Sequence, residues 1–72
     1  MKVKMNDWME REMAGYMYSV VYIENAKEWW LYAFADTMEE AIVALANEKL
    51  DDDSDGNGFY AVIDYTGKVV MR

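Results

Sequence analysis

The side chains able to do chemistry in this chain are almost all carboxylates. Fourteen Asp and Glu stand against seven Lys and Arg, and histidine and cysteine are absent. The commonest general base and the strongest nucleophile are therefore both missing. Serine occurs only as Ser19, inside an apolar run, and Ser54, among acids that oppose its ionisation. Glu39 and Glu40 could form a catalytic carboxylate pair, but at the start of a helix they are explained by capping and by the helix dipole. Gly56 and Gly58 follow a helix and lie among acids that repel phosphate, so they make no phosphate cradle. What the clustered Asp51, Asp53 and Asp55 can do is attract a hard cation. No enzymatic activity is expected.

The charge is unevenly placed. Of the net −7, the acids Asp36, Glu39, Glu40, Glu48, Asp51, Asp52, Asp53, Asp55 and Asp64 share their stretch with a single base, Lys49. Direct binding to nucleic acid is disfavoured, because phosphate contacts need a positive patch. An acidic face suits a basic protein surface instead, including one that ordinarily holds nucleic acid. No apolar run follows Met1 to Asp7, and the apolar stretch Trp29 to Ala35 is too short to span a bilayer. A cytoplasmic protein with no membrane association is expected.

The elements that position these residues can be read from pattern. With 72 residues the chain makes one domain, and its 54% hydrophobic and 15% aromatic content supplies the area a small core needs without disulfides. Thr37-Met38-Glu39-Glu40 is a capping box, and Met38, Ala41, Ile42 and Leu45 then follow a helical period, so a helix is expected over Thr37 to Leu50. Tyr16 to Ile23 and Trp29 to Ala35 read as a hairpin around Glu24-Asn25-Ala26-Lys27, with Glu24 opposite Lys27 if the turn is a two-residue one. Phe59 to Asp64 and Lys68 to Met71 read as a second hairpin around Tyr65-Thr66-Gly67. A short helix from Asn6 to Gly15 can precede them, capped by Asn6 and stopped by Gly15. The expected fold is α+β: a four-stranded antiparallel sheet of two hairpins with one main helix between them, in the order ββαββ.

Neither strand of the first hairpin alternates cleanly between apolar and polar residues. Tyr16, Tyr18, Val20 and Tyr22 share one face of the first strand, and Met17, Ser19, Val21 and Ile23 the other. Trp30, Tyr32 and Phe34 oppose Trp29, Leu31, Ala33 and Ala35 on the second. One helix covers one face only. The other face needs the amino-terminal segment with Trp8, Met9 and Met13, a second copy in a homodimer, or a partner protein. Tyr18, Trp30 and Tyr32 are the expected aromatic anchors beside Glu39, Glu40, Asp51, Asp52, Asp53 and Asp55.

Asp53 to Asp64 fits the twelve-residue pattern D-x-[DN]-x-[DN]-G-x5-[DE] and in this resembles the EF-hand calcium-binding family. The resemblance implies calcium held by Asp53, Asp55, Asn57 and Asp64 with the carbonyl of Phe59, and Gly58 as the sharp turn. It also requires a turn where Phe59 to Asp64 reads as a strand, so the two readings exclude each other. The run Phe34 to Ile42 is similar to the strand-to-helix step of HicB-type antitoxins. In its size, its acidic stretch and its lack of a catalytic set the chain looks like small phage-encoded inhibitors of host defence, including anti-CRISPR proteins. That likeness implies an inhibitor that occupies a basic site on a protein target.

Overall fold

The runs rich in β-branched and aromatic residues form strands, and the capped, periodic segment between them forms a helix. In the computed structural model, which describes residues 2–5, 11, 15–50 and 58–72, the order is β1 (Tyr18–Ile23), β2 (Trp29–Ala35), α1 (Met38–Leu50), β3 (Phe59–Asp64) and β4 (Val69–Met71). The strands make one antiparallel sheet in the order β2-β1-β3-β4. The α+β fold with ββαββ order is therefore as the sequence implies. Of the helix considered over Asn6 to Gly15 only Arg11 and Gly15 are described, and Trp8, Met9 and Met13 lie outside the described residues.

The start of α1 is set by its cap. The Glu40 amide donates to Thr37 Oγ1 at 3.2 Å, and the first helical bond runs from the Ala41 amide to the Thr37 carbonyl. The Glu40 carboxylate reaches one residue further back than a standard box, accepting from the Asp36 amide at 3.2 Å. Ala41 and Leu45 are buried, and Met38 and Ala44 pack beside them. Ile42, expected on this stripe, is 41% exposed. It follows Ala41 by one residue, about 100° round the helix, which turns it to the rim once Ala41 points at the sheet.

Of the two connections open to the first hairpin, a two-residue turn at Asn25-Ala26 or a longer loop, the longer one forms. Asn25 Oδ1 accepts from the amides of Lys27 and Glu28 at 2.9 and 3.0 Å, and the Glu24 amide donates to the Glu28 carbonyl. The connection is thus five residues long, and Glu24 faces Glu28 instead of Lys27. An asparagine side chain can organise such a turn without any residue entering the left-handed region, and no non-glycine residue described has positive φ.

A bulge in β2 decides which side chains share a face. Tyr22 pairs with Trp30 and Val21 with Leu31, but Val20 pairs with Ala33, which leaves Tyr32 as the extra residue. The alternation resets there. Ala33 and Ala35, expected with Trp29 and Leu31, instead join the helix-facing cluster of Val20, Tyr22, Ala41, Leu45, Tyr60 and Val62. Phe34 moves to the other side, opposite Ser19, where its ring stacks on Tyr16 at 4.9 Å. Alanines beneath the helix allow the close approach that a phenylalanine would block.

The second face of the sheet is not a free surface. Ser19, Val21, Ile23, Ala61 and Ile63 are fully buried, with Val3 packed into the same cluster and Met5, Trp29, Leu31, Phe59 and Val69 around it. Val3 is held there by its amide, which donates to the Gly67 carbonyl at 2.9 Å, and the Trp29 indole N–H donates to the Lys4 carbonyl. The chain therefore has two apolar layers, one on each side of the sheet. Ser19 is the polar exception, because its hydroxyl is buried and has no hydrogen-bond partner among the described residues. Replacing it removes a desolvated, unsatisfied group, so Ser19→Ala is expected to raise stability by about 1 kcal/mol. A thermal melt checks this, and a lowered Tm would show that the hydroxyl has a partner.

Candidate functional site

Strand pairing at one end of the sheet creates an aromatic cluster. Ile23, Phe59 and Trp29 stand across from one another there, and Tyr22 sits between Tyr60 on β3 and Trp30 on β2. The rings interlock on the helix side, with centroids 5.0 Å apart for Tyr22 and Tyr60, 6.3 Å for Tyr22 and Trp30, and 5.4 Å for Tyr32 and Tyr60. These separations and tilted orientations are those that aromatic pairs prefer. Tyr22 and Tyr60 are buried, whereas Trp30 and Tyr32 are each 50% exposed. Two buried rings thus hold two open ones on an edge strand.

The expected site residues fall into separate groups. Trp30 and Tyr32 come together. Tyr18, expected as an exposed anchor, is half-buried and packs against the helix-facing core at the opposite end of β1. Glu39 and Glu40 are exposed on the first turn of α1, beside Val43, Ala44 and Asn47 along a shallow groove of about 460 Å³. Glu40 also has its capping task. α1 starts three residues after Ala35, which pairs with Tyr18. This sets the two glutamates at the far end of the sheet from Trp30. Asp51, Asp52, Asp53, Asp55 and Asn57 lie outside the described residues. Their return to the sheet is described, however: the Gly58 amide donates to the Tyr22 hydroxyl at 3.1 Å, beneath Trp30.

The calcium-ligand set is separated by the fold. Phe59 opens β3 and Asp64 closes it, five residues and about 17 Å apart along a strand. Ligands of one calcium ion must lie within about 5 Å of each other, so Phe59 and Asp64 cannot serve the same ion. Each has another partner. The Arg72 guanidinium lies 3.9 Å over the Phe59 ring. Asp64 Oδ1 accepts from the amides of Thr66 and Lys68 at 2.9 and 3.1 Å and from the Thr66 hydroxyl, closing the β3–β4 turn in which Gly67 takes φ of 92°.

Burial pushes the Asp64 carboxyl up, but the Thr66 hydroxyl and amide, the Lys68 amide and the Lys68 charge outweigh it and hold the group below the ordinary aspartate value. A depressed carboxylate stabilises the fold above the usual carboxylate range, and that contribution is lost as pH falls through its lowered value. Asp64→Ala is therefore expected to lower stability by about 1 kcal/mol near neutral pH and to flatten the acid limb of the pH–stability curve below about pH 4. Denaturant titrations at several pH values check this. An unchanged acid limb would refute it.

Pattern reading placed Trp30 and Tyr32 on one face but missed the bulge, which turns Phe34 to the opposite side and brings Ala33 and Ala35 under the helix. The bulge's only trace in the sequence is that β2 has one residue more than β1. Among the described residues no helix is long and apolar enough to cross a membrane. No family model, no curated protein and no solved structure matches the chain.

Proposed function

We propose that this protein is a non-catalytic binding protein, an inhibitor or adaptor in the cytoplasm that occupies a basic surface of a protein partner. The observation that carries the reading is the half-exposed pair Trp30 and Tyr32, held by Tyr22 and Tyr60 where the acidic segment re-enters the sheet. Tryptophan and tyrosine are the side chains that most often dominate the energy of a protein interface. The sequence adds the charge, since Asp51, Asp52, Asp53 and Asp55 precede Gly58 in the chain. Exposed rings and a run of carboxylates in one chain fit a surface of lysines and arginines, where cation–π contacts and charge pairing act together. A site that ordinarily receives nucleic acid has this character. The small acidic inhibitors of host defence that the chain resembles in size and charge work in this manner.

The test is affinity capture from extract of the native host, comparing the wild type with a variant carrying Asp51→Asn, Asp52→Asn, Asp53→Asn and Asp55→Asn. Capture of the same protein by the wild type, lost in the variant and lost when salt is raised from about 0.1 to 0.5 M, supports the reading. A captured protein held equally by both forms at either salt concentration overturns the electrostatic part. A partner that is itself acidic overturns the whole.

A further inference from the structure

In a chain with net charge −7, one groove is cationic. It lies between the amino-terminal segment and the two turns, encloses about 680 Å³, and among the described residues is lined by Lys2, Val3, Lys4, Met5, Ala26, Lys27, Tyr65 and Thr66. Three lysines line it, and none of these residues is acidic. We propose that this groove binds a small phosphate monoester that carries an apolar or aromatic group, such as a nucleoside monophosphate.

The backbone that presents the lysines is pinned. Val3 is buried while its neighbours Lys2 and Lys4 are exposed, the alternation of an extended chain, so both ammonium groups project from the outer side. The Val3 amide is bonded to the Gly67 carbonyl and the Lys4 amide to the Ala26 carbonyl at 3.0 Å. The Asn25 side chain fixes the Lys27 amide from the opposite wall. The neighbouring acids are largely engaged elsewhere: Glu28 accepts from the Asn25 side-chain amide, and Asp64 is bonded to Thr66 and Lys68. Glu24 is the remaining acid of the same loop. Lys68 forms a backbone bridge with Lys2, but its charge already serves the Asp64 carboxylate.

The ligand class follows from these groups. Planar carboxylates are best matched by the paired N–H groups of arginine, and this groove has none, whereas separate ammonium groups suit the tetrahedral oxygens of phosphate. A monoester carries nearly two charges at neutral pH, so it gains most from a groove lined by three lysines. The Thr66 hydroxyl already donates to Asp64, which leaves the ammonium groups and the exposed Tyr65 to meet the anion. Ala26 and the Tyr65 ring, with the partly buried Met5, supply apolar lining, and the volume is that of a small-molecule site.

The test titrates the protein with adenosine 5′-monophosphate, inorganic phosphate and adenosine at low salt, read by NMR amide shifts and calorimetry. Expected is saturable binding of the monophosphate, with shifts at Lys4, Lys27, Tyr65 and Thr66. Phosphate should bind more weakly by about tenfold and adenosine by more. Lys27→Gln should weaken the monophosphate about fivefold, whereas Lys49→Gln, on α1 outside the groove, should leave it unchanged. Absence of saturation up to about 10 mM monophosphate overturns the proposal. So does adenosine binding as tightly as the monophosphate, or equal losses in the two lysine variants.

Discussion

Gly58→Ala is expected to lower stability by about 2–4 kcal/mol, which for a chain of this size means a Tm lower by roughly 10–25 °C. A Cβ at this position would fall inside van der Waals contact of the Ile23 carbonyl oxygen and 2.8 Å from the Tyr22 ring. The carbonyl belongs to the central strand and cannot rotate away as a flexible side chain could. Tyr22 cannot withdraw easily either, because its ring is buried against Tyr60 and Trp30 and its hydroxyl accepts from the Gly58 amide. A domain of this length has roughly 4–11 kcal/mol of stability in total, so the loss is a large share of it. Circular dichroism during heating measures the effect. A Tm within about 3 °C of the wild type would mean that β3 does not enter the sheet against Tyr22 in this way.

The second large effect is on binding. Replacing Trp30 and Tyr32 together by alanine should weaken association with the captured partner by about 100-fold or more, because interface tryptophans and tyrosines commonly contribute 2 kcal/mol or more each. The same substitutions should cost about 2–4 kcal/mol of stability, because each ring is half-buried and touches the core through one aromatic neighbour. The two readouts separate recognition from folding: affinity measured at a temperature where circular dichroism shows the variant fully folded reports the surface alone. An affinity unchanged within threefold would remove these rings from the interface. Val43 makes a useful contrast. It is more exposed than Trp30, at 61%, but stands on α1 beside Glu39 and Glu40, so Val43→Ala should leave binding intact.

The calcium pattern shows why spacing alone misleads in a short acidic connection. Asp53, Asp55, Asn57 and Asp64 have the right intervals along the chain, but interval becomes geometry only through backbone conformation. Tyr60, Val62 and Ile63 favour a pleated strand, and pairing with β1 and β4 makes it an inner strand of the sheet. Asp64 is thereby carried to the far end, where its carboxylate organises the next turn. Local pattern was decisive where a few neighbouring residues satisfy each other. The Thr37–Glu40 cap, the tight turn at Gly67 and the two hairpins are of this kind.

By itself, then, the sequence determined the element order, the α+β class, the start of the helix and the concentration of acid between Asp36 and Asp64, since these depend on contacts between near neighbours and on composition. Tertiary structure alone decided the bulge at Tyr32, which side of the sheet each of the residues after it faces, and the burial of the second face around Val3, Val21 and Ile63. It also decided that Lys2, Lys4 and Lys27 share one groove. Those outcomes depend on which strands pair and in what register. One inserted residue reverses every later side chain of a strand, and nothing in the local sequence of β2 records where the insertion falls.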